Sequence, residues 1–392
     1  MIPCGRGIPP YLADELRGLG FPILREQETG VETTGSLDDA MRLNLCLRTG
    51  QRVLYQLERF QASTPDQMYH RIRQLPWEEY IPATGYVRVA SFVRTAAISD
   101  ARFATLKCKD AIVDRIRERC GRRPDSGSER HGAAVFLYWN ERDCAVYLDT
   151  SGESLARRTY RKIPLEAPMQ ETLAAAVVQA TGWTGDAPFI NPMCGSGTLA
   201  IEAALLGLGR PPGLLRGDFA FMHLNGFDPA RWHTLREGLR RAPKKALAGR
   251  IVASDVRPEA VRAAQQNART AGVEQVIDFH VGDFADTPLP EGAGVIVLNP
   301  EYGERMGQAE ALEPVYRRIG DFFKQRCQGY AGWVFTGNLD LAKRVGLRSR
   351  RRILFFNGEL ECRLLKFEIY AGSLRHSAAA GPAGQAGTAP PA

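Results

Sequence analysis

Residues 188–204 read PFINPMCGSGTLAIEAA, and the reading of this stretch decides the fold. A short apolar run, Phe189-Ile190, ends in Asn191-Pro192, and Gly195-Ser196-Gly197 then make a turn almost free of side chains. From Thr198 the residues Leu199, Ala200, Ile201, Glu202, Ala203 and Ala204 are good helix formers with no breaker before Gly207. Strand, glycine turn, helix is the unit that brings backbone N–H groups and a helix N-terminus close to a ligand. Taken alone it is equally an ordinary βα turn whose glycines serve close packing.

Residues 251–255 (IVASD) form a second short strand ending in an acid, followed by a helical run over 257–271. Val295-Ile296-Val297-Leu298 is a further apolar strand that leads into Asn299-Pro300-Glu301-Tyr302-Gly303. With strands near 276 and 332, this alternation with helices predicts a parallel, doubly wound sheet. Residues 352–370 read as a hairpin around Asn357-Gly358, a pair suited to a type I′ turn. A dinucleotide fits the glycine turn poorly, because that fingerprint needs three glycines and an acid about 20 residues on. Here only Gly195 and Gly197 are present, and Asp255 follows after an insertion running from Gly207 to Gly249.

Composition sets wider bounds. At 392 residues, 44% hydrophobic and 24% charged, the chain suits two or three soluble domains. No apolar run approaches membrane-spanning length, and the N-terminus lacks the apolar centre of a signal peptide. Eight cysteines without a CxxC pair argue against a zinc site and a disulfide framework, so no metal and a reducing cytoplasm are expected. The formal charge of +7 is concentrated in runs at 102–123, 157–162, 231–250 and 343–352. Such runs are usually solvated faces, but four of them flanking one core point to a phosphate backbone.

Upstream, residues 1–60 read as a small α+β unit, with a helix over 11–19 and strand-like alternation over 43–49. Residues 61–152 read as a second α+β unit. It has a helix from 65 to 75, a strand over 86–93, and a basic helix with Phe103, Leu106, Ile112, Val113 and Ile116 as apolar positions. Two strands, 134–139 and 144–148, close it. Residues 153–186 are a linker with a helix opening after Pro168, 187–372 form the α/β domain, and the Ala/Gly/Pro-rich tail 373–392 is expected to be disordered.

The run NPMCGSGT, the acid after the second strand, Asp283-Phe284 after the third and NPEYGER after the fourth resemble class I S-adenosylmethionine-dependent methyltransferases. More narrowly, with the N-terminal stretches, the chain resembles the THUMP-domain family of RNA guanine-N2 methyltransferases over nearly all its length to about residue 370. That resemblance implies a Rossmann-like seven-stranded domain behind ferredoxin-like and THUMP modules. It assigns S-adenosyl-L-methionine to Asn191, Met193, Cys194, Gly195, Ser196 and Gly197 around the methionine moiety. Asp255 and Val256 fall at the ribose, Asp283 at the adenine amine, Phe284 at the adenine face, and Asn299 beside them. Asn299 and the Pro300 carbonyl would hold both hydrogens of an exocyclic amine, aiming its lone pair at the methyl group, while Tyr302 stacks on the base. Lys107, Lys109, Arg115, Arg119, Arg158 and Arg161 are the candidate RNA contacts.

The family usually has a second proline where this chain has Glu301. Its carboxylate would either accept from N1 and N2 of guanine, or face solvent or pair with Arg305. The expected function is N2 methylation of a guanine, with 23S ribosomal RNA as the favoured substrate. Transfer-RNA methylation and a non-catalytic RNA-binding or assembly factor stay open, as does oligomeric state.

Overall fold

The computed structural model describes residues 1–163, 169–303 and 308–369, which form three sheets. The predicted tail and the Glu301–Arg305 pairing both lie outside the described residues. The chain opens with β1 (Ile2–Pro3), α1 (Pro9–Gly18), β2 (Ile23–Gln27), β3 (Gly30–Thr33) and α2 (Leu37–Cys46). The strands pair antiparallel in the order β1-β3-β2.

The alternation over 43–49 is not a strand: most of it lies in α2. Ser36 and Asp39 form a reciprocal capping box, with the Asp39 N–H 3.2 Å from Ser36 Oγ and the Ser36 N–H 2.8 Å from Asp39 Oδ2. Ala40, Met41, Asn44 and Leu45 are then buried at helical spacing, so Leu43 and Leu45 belong to a period of 3.6 and not of two.

The second unit contains β4 (Leu54–Gln61), α3 (Pro65–Gln74), α4 (Trp77–Tyr80), β5 (Tyr86–Arg94), α5 (Ala101–Cys120), β6 (Asp125–Ser126), β7 (Ala133–Asn140) and β8 (Asp143–Asp149). Its sheet order is β4-β8-β7-β5-β6. Because β4 pairs antiparallel with β8, this sheet begins at Leu54, ahead of the expected boundary at 60. α5 lays Ala104, Cys108, Ala111, Ile112 and Ile116 on the sheet. Phe103 and Leu106 fall off that stripe and stand 50% and 55% exposed, against expectation.

The linker runs as an extended strap to residue 163 and resumes in α6 (Glu171–Thr181). The α/β domain follows with β9 (Phe189–Pro192), α7 (Thr198–Gly207), α8 (Pro229–Arg241), β10 (Ile251–Asp255), α9 (Pro258–Ala271), β11 (Ile277–Val281), β12 (Val295–Leu298), α10 (Gln308–Arg326), β13 (Ala331–Thr336), α11 (Leu339–Lys343), β14 (Ser349–Asn357) and β15 (Leu360–Phe367). The seven strands lie in the order β11-β10-β9-β12-β13-β15-β14. β9 to β13 are parallel, and β15 runs antiparallel to both its neighbours. The hairpin is where it was expected, but its loop is Gly358-Glu359, one residue later. Only Gly358 has positive φ, at 64°, which is the sign pattern of a type II′ and not a type I′ turn.

The insertion between α7 and β10 binds the units together. Phe219, Phe221 and Trp232 cluster at ring-centroid distances of 5.2–5.8 Å. Arg216 lies 4.5 Å over Phe219 and donates to the carbonyls of Ser151 and Glu153 at 3.1 and 3.0 Å. The Asn225 N–H reaches the Tyr80 carbonyl at 2.8 Å.

A polar chain, buried at Arg158 and Glu202, joins the first unit to α7. Glu15 accepts from the Arg48 and Thr49 N–H groups at 2.6 and 3.1 Å. Arg158 donates to the Arg48 carbonyl and pairs with Glu202 of α7 at 3.0 Å, where the Tyr160 hydroxyl also donates at 3.0 Å. Burial lifts the Glu202 carboxyl to about 7 even beside Arg158. Truncating one partner of such a pair strands the other, so Arg158→Ala is expected to cost about 3–5 kcal/mol in chemical denaturation. Replacing both residues by methionine should restore most of that stability. Between the ordinary value of 4.5 and about 7, folded Glu202 holds a proton that the unfolded chain releases. Its contribution therefore falls as pH rises through that window. Glu15 and Glu171 shift the same way, so Glu202→Gln should make the decline of stability with pH shallower without abolishing it.

Candidate active site

The direction of crossover reverses at β9, which has β10 on one side and β12 on the other, both parallel to it. Ligands of doubly wound sheets bind outside the carboxyl ends of the strands at such a switch point. All three strands end there in the motifs picked out from the sequence. The main-chain pairing of β9 with β12 covers Phe189 and Ile190, and the Asn191 side chain extends it by donating to the Val297 carbonyl at 2.9 Å. The glycine turn and Asn299-Pro300 thus leave neighbouring strands on the same edge.

The turn is held from behind. The Cys194 N–H donates to the Ser254 carbonyl at 2.8 Å and the Gly195 N–H to Asp255 Oδ2 at 2.9 Å. Asn267 of α9 donates to the Ser196 carbonyl at 3.1 Å, while its own oxygen accepts from the Lys162 N–H of the strap at 2.9 Å. Gly197, with φ at 84°, must be glycine because a Cβ there would lie 2.8 Å from that of Ala264. Gly195, with φ at 53°, instead faces open space, the cradle into which a ligand backbone would fit. Met193 also has positive φ, at 61°, a conformation nothing in the sequence indicated. Cys194 is buried and its thiol is pushed well up by burial, so it serves the turn through its backbone. No side chain caps the first turn of α7, whose N–H groups face the same edge.

The acids are partly engaged. Asp255 is buried and its second oxygen, Oδ1, accepts from the Arg257 N–H at 3.0 Å with the Arg257 guanidinium 3.5 Å away, while Oδ2 keeps a lone pair for a further donor. Val256 stands 66% exposed beside it, and Val281, paired in register with Asp255, is 55% exposed. Val281 escaped the sequence reading, and its signal is visible only once β10 and β11 are paired. Together the two valines give the cleft an apolar wall. Asp283 caps the short turn after β11, accepting from Ala285 N–H at 2.9 Å, and pairs with Arg318 at 2.7 Å. The Phe284 ring is buried, edge-on to Phe322 at 5.9 Å, with Arg318 5.0 Å over it. Its ring is therefore not free to serve as the adenine face that the resemblance assigned to it.

On the opposite wall, Asn299 Oδ1 accepts from the Tyr302 hydroxyl at 2.5 Å. The Tyr302 ring stands edge-on to Phe335 at 6.3 Å and lies close to Gly337, under the hairpin tip. Tyr316 donates to the Glu301 carbonyl at 3.1 Å, and Asn338 to the Tyr302 carbonyl at 3.2 Å. No described residue donates to the Pro300 carbonyl, and the exposed Glu301 side chain has no partner among the described residues. Asn191 Oδ1 is buried with no donor among them, an open acceptor at the base of the cleft.

The six basic candidates separate. Arg158 is buried on Glu202, and Arg161 is tied to the Met169 carbonyl at 2.7 Å and Thr198 Oγ1 at 3.1 Å. Both are interior staples and are withdrawn as RNA contacts. Lys107 pairs with Asp66, Lys109 with Asp110 at 2.7 Å, and Arg115 with Glu78 through two bonds at 2.7 and 3.0 Å. Arg119 alone of the six is exposed without a partner among the described residues. An open cleft of about 910 Å³ lined by Arg130, Glu153, Arg157, Arg216 and Asp218 lies elsewhere, between the second unit, the strap and the insertion. Among the described residues no group of His, Cys, Asp or Glu could hold a metal ion, and no helix is long and apolar enough to cross a membrane.

Comparison with known proteins agrees with this arrangement. Residues 1–54 match the RlmL ferredoxin-like domain, 62–149 the THUMP domain, and 158–366 the RMKL-like methyltransferase domain. A ribosomal RNA large subunit methyltransferase K/L of Syntrophotalea carbinolica is 39% identical over 93% of this chain. The chain spans about half, 52%, of that relative's length. A putative RNA methyltransferase of Synechocystis sp. is 35% identical, over 93% of this chain and 95% of its own length. Among solved structures, SMU.472, a putative methyltransferase complexed with SAH, superposes with a TM-score of 0.86 at 27% identity, covering 95% of this chain and 98% of that one. A glycine turn and an Asn-Pro loop on adjacent strand ends, set behind ferredoxin-like and THUMP modules, are what place this chain in the RMKL-like methyltransferase family.

Proposed function

We propose that the chain transfers a methyl group from S-adenosyl-L-methionine to the exocyclic N2 of a guanine in large-subunit ribosomal RNA, in the cytoplasm. The observation that carries the reading is the adjacency of the glycine turn and Asn299-Pro300 on β9 and β12, fastened by the Asn191–Val297 bond. The cleft fits the cofactor on two counts: the buried, unpaired Asn191 Oδ1 suits an ammonium donor, and the open side of Gly195 leaves room for a carboxylate at the start of α7. Asp255 would accept from the ribose hydroxyls, and Val256 with Val281 would flank the adenine. When bound, the cofactor supplies an activated methyl on a sulfonium, a good leaving group, so the protein's task is alignment.

Asn299 Oδ1 keeps one lone pair after the Tyr302 bond, and the Pro300 carbonyl takes no donor from the described residues. These two acceptors would take the N2 hydrogens and turn the nitrogen lone pair towards the methyl. Tyr302, through its hydroxyl, fixes the Asn299 amide, so its role shifts from base stacking to orientation. Tyr316 and Asn338 position the same loop through its backbone carbonyls. The base has to leave its stack to enter.

Tritium transfer from labelled cofactor to 23S RNA, followed by nucleoside mass analysis, should yield N2-methylguanosine, with transfer RNA a poor acceptor. Cofactor binding without transfer to either RNA would overturn the enzymatic reading. Asn299→Ala should lower kcat by about a hundredfold or more while calorimetric affinity for the cofactor stays within a factor of a few.

Tyr316→Phe removes only the hydroxyl that holds the Glu301 carbonyl. Its kcat should fall about tenfold with KM for the cofactor unchanged, as expected for a positioning group. Glu301→Gln should leave the rate within about twofold, because its side chain faces solvent. A large loss there would mean that the carboxylate contacts the base.

A further inference from the structure

Phe92 is an aromatic side chain left 46% exposed in the middle of an otherwise ordered strand. On β5 the residues Val87 and Ser91 face α5, the latter through a 2.6 Å contact with Thr105. Alternation therefore puts Ala90, Phe92 and Arg94 on the opposite face, which no helix of this unit covers. Phe92 pairs in register with Tyr138 of β7, and their rings stack at 5.5 Å and 10°. Tyr138 is backed in turn by Ala145 of β8.

The stack stops at Phe92. β6 pairs with β5 only at Tyr86 and Val87, so from Arg88 to Arg94 no strand lies on the outer side of β5. Among the described residues no strand covers the side of the Phe92 ring turned away from Tyr138, and the residue stands 46% exposed. Arg94 lies on the same face two residues on, exposed, and its guanidinium has no partner among the described residues. Arg59, on the far strand of this face, is by contrast consumed by two bonds to Asp143 at 2.9 and 2.5 Å. A flat ring with one free face and a free cation beside it match a nucleobase and its phosphate. An apolar protein partner would be served by the ring alone and gains nothing from Arg94.

We propose that the open end of the Tyr138–Phe92 stack, at the strandless edge of the second unit's sheet, is a stacking site for one unpaired base of the RNA, with Arg94 on the flanking phosphate. The proposal rests on the RNA substrate argued above and adds a contact point remote from the methyl-transfer cleft. It selects single-stranded over duplex RNA, because a base already stacked within a helix cannot offer a face to Phe92.

The test uses the full chain, a short labelled adenine oligoribonucleotide and the same strand in duplex form, read by fluorescence anisotropy. Phe92→Ala should weaken single-strand binding between about 5-fold and 150-fold, with duplex binding little changed, and Phe92→Trp should keep wild-type affinity. Arg94→Ala should reduce the slope of log affinity against log salt by about 0.7. Unchanged melting temperatures would show that the variants fold. Single-strand affinity that survives Phe92→Ala, or an equal loss on both RNAs, overturns the stacking site. Methyl transfer to 23S RNA by the wild-type chain is measured in parallel. Transfer without Phe92-dependent binding removes this site and leaves the proposed function, whereas Phe92-dependent binding without transfer does the reverse.

Discussion

One side-chain amide carries the catalytic domain across the place where its main-chain ladder runs out. β9 and β12 pair at Phe189–Val295 and Ile190–Ile296, and beyond that the strands must part to open a crevice. Asn191 makes one more bond across the gap with its Nδ2, and in doing so leaves its oxygen buried and without a donor among the described residues. An orphan acceptor of this kind costs on the order of 1–3 kcal/mol unless a donor arrives. The same residue therefore holds the glycine turn and the Asn299-Pro300 loop at a fixed separation and leaves at the base of the cleft an acceptor that a donor would satisfy. Asp255 acts similarly from the other flank, fixing the Gly195 N–H while keeping a lone pair in reserve.

The N-terminal units reach this cleft through interior contacts, not surface ones. Glu15, Arg48, Arg158 and Glu202 form a polar relay, buried at Arg158 and Glu202, from the first helix of the chain to α7. Asn267 clamps the strap and the glycine turn with one side chain. An RNA-docking module that merely tethered its enzyme would need only a linker. Here Arg158 and Arg161 of the linker are spent on interior contacts that fix the strap to the first unit and to α7. Buried charge networks of this kind give orientation more than stability, because desolvation consumes most of the pairing energy.

Much of this was legible in the sequence because the signals were local. Strand, glycine turn and helix at 188–204, the acid closing β10 and the Asn-Pro after β12 each need only a few neighbouring residues to be read. What stayed hidden depends on residues far apart in the chain. Arg158 looked like a surface cation until Glu202 was brought to it, and Lys107 and Arg115 until Asp66 and Glu78 were. Phe284 looked like an adenine platform until Phe322 and Arg318 enclosed it, and Val281 gained meaning only from its register with Asp255. The misread helix at 37–46 is different, since its capping box was in plain view and lost to the alternation of Leu43, Leu45 and Leu47.

Glu301 shows how a family's rigid element can be replaced. A proline restricts φ locally, by covalent geometry, and needs no partner. In this chain the same loop is restrained by hydrogen bonds to its carbonyls, from Tyr316 in α10 and from Asn338 after β13, with Thr336 holding the Tyr316 hydroxyl at 2.9 Å. Tyr316 is fully buried and follows Pro314, the proline inside its helix, by two residues. The loop's shape is then no longer a property of four residues but of how α10 and β13 pack against the sheet. A distant change that shifts α10 is felt at Asn299, whereas a proline would have insulated it.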